Sequence, residues 1–410
     1  MDRRALSGTR RQLLAGLGAA PLTLAAEPAR AALPDAGSDY GLQPGLTYLN
    51  TASLGLAPRA VFDATAAAWR ALETSPVRMG YGRADDTTVS AADRVRGKAA
   101  TLLGCDADEL LITTGTTSGM TTLAQAIALN AGDRVLTTDQ EHEGGEVAWT
   151  HLQRRRGIGI DVIKIGFEEQ DTPAIVRRLE AAIRPETRVI SVSHVITSTG
   201  LRMPIPEISA LARRHGALCI VDGAQALGCI AVDVKALGCH AYAASGHKWL
   251  MGPKGTGLLY ISRDADKAIE PVQWEMERRY NCGSMGVGPT TLAIGLGTAI
   301  DLLRERGPAA VEQRVQQLRD HAWRELARIP GLRMVGPPPG VRSSGLAAAI
   351  VPGLVDSMGL RDRLLARHGV VVKMIEKRWF NGVRLSPHIF NTEADIDRGV
   401  AALRSDLAAL

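Results

Sequence analysis

The stretch that decides the fold reads A-L-C-I-V-D-G-A-Q-A-L-G from Ala217 to Gly228. About a dozen residues later it continues as A-Y-A-A-S-G-H-K-W-L-M-G-P-K-G-T-G-L-L-Y, from Ala241 to Tyr260. Leu218–Val221 is a short apolar run that ends in Asp222 and is followed at once by glycine. A buried parallel strand delivers a charged side chain in this way to the carboxyl edge of a sheet, where α/β ligand sites lie. A second run of small and apolar residues, Ala241–Ala244, ends in Ser-Gly-His-Lys and so puts Lys248 just past a strand end. A lysine in that setting has a lowered pKa and can form a Schiff base with a carbonyl. The pair points to a pyridoxal phosphate (PLP) site; the competing reading is two ordinary strand ends carrying surface charge.

The flanking sequence repeats the same alternation. Helical periodicity is predicted at about 59–75 and 88–103, with Gly104 as the stop. Leu110–Thr113 reads as a strand that leads through Thr114-Gly115-Thr116-Thr117-Ser118-Gly119 into a helix over Met120–Leu129. Such a hydroxyl- and glycine-rich turn at a helix start is an anion seat, or simply an N-cap. Strands follow at Arg134–Thr137, Asp161–Ile165 and Arg188–Ser193, with helices at Thr172–Ile183 and Ile205–His215. The strand exits are D-Q-E-H-E-G-G, containing His142, and S-H-V-I-T-S-T-G, containing Thr197. This order gives an α/β chain with a mainly parallel, doubly wound sheet whose loops gather on one edge. Thr256–Ile261, joined by a short turn, is expected to run antiparallel. Beyond it come helices over Leu292–Arg304 and about 309–327. A smaller C-terminal α+β domain follows, with strands at Ser344–Val351 and Gly369–Val372 and a last helix from about Glu393.

The 410 residues, 45% hydrophobic and 22% charged, exclude a disordered chain and suggest about two or three domains. Thr9-Arg10-Arg11-Gln12-Leu13-Leu14, an uncharged apolar stretch to about Ala26 and Ala29-Arg30-Ala31 read as a twin-arginine signal peptide over residues 1–31. That places the mature protein in the periplasm or otherwise outside the cytoplasm, with the membrane met only during export. The twin-arginine route carries folded proteins, which suits an enzyme loaded with its cofactor before export. Removing the segment, which carries +3, leaves +2 of the formal +5. The one basic run, Arg154–Arg156, has no interleaved aromatics, so no nucleic-acid partner is expected. Five cysteines, at 105, 219, 229, 239 and 282, lack metal-type spacing, and neither a disulfide framework nor a metal site is expected. The remaining divisions are an arm at 32–60, a large cofactor-binding domain at 61–290, and an interdomain helix with the small domain at 291–410.

PLP chemistry needs an anion seat for phosphate, a carboxylate that keeps the pyridine nitrogen protonated, a lysine, and a cation for the substrate carboxylate. Asp222 suits the ring nitrogen. Gln225, three residues on, is placed to donate to the ring oxygen. Lys248 would carry the cofactor and act as a mobile base at the substrate α-carbon. Lys254, in the turn Gly252-Pro253-Lys254-Gly255, competes for that role, but a turn lysine is ordinarily solvent-exposed. Arg384, in G-V-R-L-S-P, offers the planar fork that matches a carboxylate.

Together D-G-A-Q at Asp222–Gln225 and S-G-H-K-W at Ser245–Trp249 resemble the class V aminotransferase family of fold-type I PLP enzymes, which includes cysteine desulfurases and isopenicillin N epimerase. The likeness runs from about Leu46 to the C-terminus. It implies that Lys248 is the Schiff-base lysine, Asp222 the ring-nitrogen partner and Gln225 the ring-oxygen partner. It implies phosphate contacts from Ser245, His247, Thr116 and Thr117, and a ring-stacking role for His142. Arg384 matches the substrate-carboxylate arginine, and Asn50 and Ala52 match substrate-pocket residues of the arm. Ser284, after Gly283, resembles the segment through which one subunit reaches its partner's cofactor phosphate, which implies a homodimer with shared active sites. Two departures stand out. The desulfurase nucleophile has no counterpart, since His368–Arg384 contains no cysteine, and the asparagine after the H-V pair is replaced by Thr197.

The expected activity is that of an exported PLP enzyme acting on an amino acid or amino-group-bearing metabolite, with transamination foremost. Isopenicillin N epimerase-like epimerisation, C–S lysis or a siderophore-tailoring reaction is the alternative. Epimerisation needs a second acid or base, for which His142, Tyr81 and His388 are the candidates.

Overall fold

The computed structural model describes residues 39–76, 90–270, 289–341 and 343–408. The signal segment, Tyr81, Cys282 and Ser284 lie outside the described residues. A seven-stranded sheet forms the large layer: β2 (Leu110–Thr113), β3 (Arg134–Thr138), β4 (Gly159–Ile163), β5 (Thr187–Ser193), β6 (Leu218–Asp222), β7 (Ala241–Ser245) and β8 (Gly257–Ile261). Their spatial order is β2-β8-β7-β6-β5-β3-β4. Five neighbours from β7 to β4 run parallel, and β8 is antiparallel to both β2 and β7, as its short connection dictates. The central strands β6, β7 and β8 are almost wholly buried, which is why they read as continuous apolar runs with no polar alternation.

Helices cover both faces: α1 (Arg59–Thr74), α2 (Ala91–Leu103), α3 (Thr116–Ala126), α4 (Glu143–Arg156), α5 (Thr172–Ala182), α6 (Ile205–Arg214) and the single turn α7 (Val234–Leu237). α2 stops at Gly104, left-handed at φ 70, as anticipated. α3 starts four residues before the expected Met120. Gly115, at φ 152, makes the turn, so Thr116-Thr117-Ser118-Gly119 are the first turn of the helix rather than a loop leading to it.

The C-terminal part comprises α8 (Thr290–Arg306), α9 (Pro308–Ala327), β9 (Arg333–Val335), β10 (Ala347–Ile350), α10 (Ser357–His368), β11 (Val370–Val371), β12 (Lys373–Ile375), β13 (Gly382–Leu385) and α11 (Glu393–Ala408). Its antiparallel sheet has the order β12-β13-β10-β9. One face, with Met374, Val383, Leu385, Ala347 and Ala349, packs into a core with α9, α10 and α11. The opposite face carries Arg384 and Lys373. β10 begins at Ala347, three residues later than expected. Ser344 is diverted to donate to the Gly200 carbonyl at 3.0 Å, and the Gly345 N–H to Cys229 Sγ at 3.1 Å. The arm strand β1 (Thr47–Tyr48) pairs in parallel with β11 in a separate two-stranded sheet, which ties the arm to the C-terminal part.

Candidate active site

Four elements of the large layer end or begin around one cavity of about 230 Å³, lined by Thr116, Thr117, His142, Asp222, Ser245, His247 and Lys248 among others. It sits at the carboxyl ends of the parallel strands, where side chains at strand exits converge.

The anion seat is built by α3 and the end of β7. The N-cap of α3, Gly115, offers no side chain to its first turn. Its Thr116 N–H donates to Ser245 Oγ at 3.2 Å, and the two hydroxyls of Thr116 and Ser245 lie 2.8 Å apart. His247 Nδ1 sits 3.1 Å from the Thr256 carbonyl, which fixes the ring beside Gly115. Thr117 lies against Gly144 at the start of α4. A helix N-terminus flanked by hydroxyls is where an anion is held.

Asp222 is buried at the end of β6. Its Oδ1 accepts from the Ala224 N–H at 2.8 Å. Burial raises its pKa, opposed by that N–H and by Lys248. A Cβ at Gly145 would stand 2.9 Å from Asp222 Oδ2, so glycine there keeps that oxygen open. Lys248 has its pKa lowered, first by burial and then by the charge of Arg384, while Asp222 pulls the other way. Among the described residues nothing accepts a hydrogen bond from its amine. Its backbone is fixed by the arm: Gly55 N–H donates to the His247 carbonyl at 2.8 Å, and a Cβ on Gly55 would collide with the Lys248 carbonyl. Lys254 instead donates to the Gly55 carbonyl at 2.8 Å and does not line the cavity. Geometry thus separates the two lysines.

His142 is the N-cap of α4 rather than a free loop residue. Its Nδ1 accepts from the Gly144 N–H at 3.0 Å, which leaves any proton of the neutral ring on Nε2. Its pKa is pushed down to about 4 by desolvation and by the charges of Lys248, Arg378 and Arg384, so the imidazole is neutral at ordinary pH. Trp379 lies beside it, ring centroids 6.4 Å apart.

Arg384 reaches the site from the small sheet, not from an exit of the large one. It is buried mid-strand in β13, with Nη1 donating to the Thr197 carbonyl at 2.8 Å and to Thr197 Oγ1 at 2.9 Å, and Nη2 to Ser53 Oγ at 3.2 Å. Its Nε has no partner, and no carboxylate pairs with it among the described residues. Burial draws its pKa down to about 10. A buried guanidinium without a counter-ion is costly unless a ligand completes it.

Gln225 is fully engaged by its neighbours within the chain. Its amide protons go to the Ala52 carbonyl at 3.0 Å and Thr197 Oγ1 at 3.2 Å, and its oxygen accepts from Trp249 Nε1 at 2.8 Å. In this arrangement no Gln225 proton is left for a ring oxygen. Thr197 Oγ1 receives two donors, and among the described residues its own proton has no acceptor, so the free donor at this point is the threonine. Asn50 accepts from Ser53 Oγ at 2.8 Å, and the Ala52 N–H donates to Ser386 Oγ at 3.1 Å, so the arm is wedged between Gln225 and Arg384. His388 is not a base at this site. Its Nε2 contacts the Trp249 carbonyl at 3.0 Å, and its Nδ1 accepts from the Ile389 N–H at 2.7 Å.

Sequence reasoning missed Ser53, Trp379 and Glu141. Glu141 is buried, accepts from Thr138 at 2.7 Å and Ser193 at 2.6 Å, and has its pKa raised to about 8 by burial, with Asp222 adding to it. The E-H dipeptide was its only signal.

The aminotransferase class-V family profile matches residues 47–398. Isopenicillin N epimerase of Amycolatopsis lactamdurans is 30% identical over 393 residues, covering 90% of this chain and 97% of the relative. The cysteine desulfurase of Salmonella typhimurium is 31% identical over 414 residues, covering 93% and 98%. Among solved structures, the cysteine desulfurase from Thermococcus onnurineus NA1 superposes with a TM-score of 0.80 at 23% identity, covering 92% of this chain and 98% of that one. A C-DES variant with glycine covalently linked to its PLP cofactor gives 0.79 at 23%, covering 91% and 99%.

Proposed function

The chain belongs to the aminotransferase class-V family, and from that premise we propose that it is a PLP enzyme that transaminates an amino acid or amino-group-bearing metabolite. The observation that carries this reading is the constellation around the cavity, with a buried Arg384 that lacks a carboxylate partner among the described residues and keeps an orphaned Nε. The residues fit the cofactor. The start of α3, whose N-cap is a glycine, with Thr116, Thr117, Ser245 and His247 suits a phosphate, Asp222 Oδ2 is kept open by Gly145, and the Lys248 amine has no acceptor among the described residues.

PLP supplies, when bound, an electron sink for the bond that breaks at the substrate α-carbon. Lys248 would carry the cofactor, and its lowered pKa makes it a base that can take and return a proton there. Asp222 would hold the proton on the ring nitrogen. His142, neutral and fixed by its cap, would cover one ring face. Arg384 would orient the substrate through its carboxylate.

A desulfurase-type mechanism is disfavoured because it needs an accessible thiolate. The described cysteines line no part of the cavity, and burial raises the thiols of Cys105 and Cys229 to about 12 and of Cys219 to about 11. Epimerisation lacks one of its candidate second bases, since both nitrogens of His388 are engaged. We extend the proposal to a homodimer with shared sites, exported by the twin-arginine route. Fractionation of an Arg10→Lys, Arg11→Lys variant tests the export, and sedimentation tests the dimer.

The reaction is tested on the purified holoprotein. Borohydride should remove a visible cofactor band, and an amino donor should convert that band to the aminated cofactor with release of a keto acid. Exchange of the substrate α-proton without that conversion would overturn transamination in favour of epimerisation.

A further inference from the structure

The sheet face that brings Arg384 into the site brings a second cation beside it. β12 pairs antiparallel with β13, with Lys373 directly opposite Arg384. Residues so opposed project from the same face with Cβ atoms about 5 Å apart, and like charges at that spacing repel. Neither charge is neutralised by a buried acid. Arg384 has no carboxylate partner among the described residues, and Lys373 reaches only the exposed Glu376, at 3.9 Å. Burial and then Arg384 lower the pKa of Lys373. A third cation, Arg378, covers the Trp379 ring at 4.2 Å from its centroid, and that ring neighbours His142. Arg378 is shared between Glu376 at 3.2 Å and Glu146 at 3.6 Å.

Folding gains nothing from a half-buried lysine facing a buried arginine. An anion lying between them reverses the sign of that interaction. A substrate α-carboxylate in the Arg384 fork would leave Lys373 on the adjacent strand with only the exposed Glu376 to offset its charge. Adjacent strands lie about 4.8 Å apart, roughly the span between the carboxyl carbons of a four- or five-carbon diacid.

We propose that Lys373, with Arg378 at the rim, forms a second anion subsite, and that the amino substrate carries a side chain ending in a carboxylate. This rests on the reading of Arg384 as the α-carboxylate clamp in a PLP site.

Calorimetric titration of the holoprotein with glutarate and with pentanoate, its monoacid counterpart, tests the subsite without turnover. Glutarate should bind at least tenfold more tightly to the wild-type protein. Lys373→Met should abolish the preference while pentanoate affinity stays within about twofold, and Arg378→Met should reduce the preference in part. Equal affinities in the wild-type protein, or a preference that survives Lys373→Met, would overturn the proposal. If Lys373→Met fails to fold, Lys373→Gln replaces it with the same two outcomes, and equal wild-type affinities overturn the proposal without any variant. A protein with no borohydride-sensitive band fails the cofactor reading separately, whatever the diacid ratio.

Discussion

Thr197→Val is the most informative single change, because one oxygen atom holds two buried donors. Thr197 Oγ1 accepts from Arg384 Nη1 at 2.9 Å and from Gln225 Nε2 at 3.2 Å. Valine preserves shape and removes the acceptor. Gln225 retains its bond to Ala52 and Arg384 its bond to the Thr197 carbonyl, so one proton on each is orphaned rather than the whole group. An orphaned buried donor costs about 1–3 kcal/mol, with the charged one at the upper end, which gives about 2–5 kcal/mol in all. Thr197→Ser keeps the hydroxyl and loses one methyl group, worth about 1 kcal/mol. Urea unfolding of cofactor-stripped protein isolates the contribution of the chain's own contacts. If the valine variant unfolds within about 0.5 kcal/mol of the serine variant, the hydroxyl does not accept from both groups and the coupling of Gln225 to Arg384 through Thr197 is wrong. The same pair reports on the loaded protein. If the hydroxyl's free proton is donated to the cofactor ring, valine should shift the pH at which the visible band changes by about one unit, and serine should not.

Further outcomes follow from the same geometry. Lys248→Ala should lose the borohydride-sensitive band and Lys254→Ala should keep it, because only Lys248 opens on the cavity; absorbance spectra decide. Gly55→Ala places a Cβ against the Lys248 carbonyl, and overpacking of about 1–3 kcal/mol should weaken PLP binding tenfold or more with far-ultraviolet circular dichroism unchanged. His388 is buried and its pKa is lowered from 6.5 to about 4, so below pH 6.5 the unfolded chain binds a proton that the native chain does not. Its contribution to stability therefore falls by about 2 kcal/mol between pH 6.5 and pH 5. Glu141, with a raised pKa, acts in the opposite sense, so the quantity to measure is a difference. His388→Asn should lose about 2 kcal/mol less than wild type between pH 7 and pH 5 in urea titrations, and equal losses would refute the assignment.

The large layer was legible because its buried strands are continuous apolar runs that stop where chemistry begins. Asp222 and Lys248 announce themselves as charges at the ends of β6 and β7. Arg384 is equally decisive, yet β13 spans four residues, G-V-R-L, too few for periodicity to separate a strand from a loop. Its face is set by pairing with β10 and β12, residues 347–350 and 373–375, which no local pattern encodes. Glu141 was hidden for a related reason: Thr138 is a local partner, but Ser193, its second, meets it only because β3 and β5 are neighbours. The α3 start was misjudged because Thr and Ser read as loop residues, although the first turn of a helix is where an anion site needs them.

The same division explains why the cofactor is easier to read than the reaction. The cofactor side of the cavity is fixed by strand ends of one sheet, each a few residues from its own sequence signal. The proposed substrate side is assembled from three remote pieces, the arm at Asn50–Ser53, the β5 exit at Thr197 and the small sheet at Lys373 and Arg384. Thr197 joins the two sides, since it accepts from Gln225 on one and Arg384 on the other. On the proposed reading, a substrate carboxylate at Arg384 would alter the hydrogen bonding of Gln225 through that one hydroxyl. At this point the chain offers a single rotatable proton. On the proposed reading, substitutions at Thr197, Lys373 and Arg384 should therefore change which substrate and reaction the protein favours, whereas Lys248 is needed for any of them.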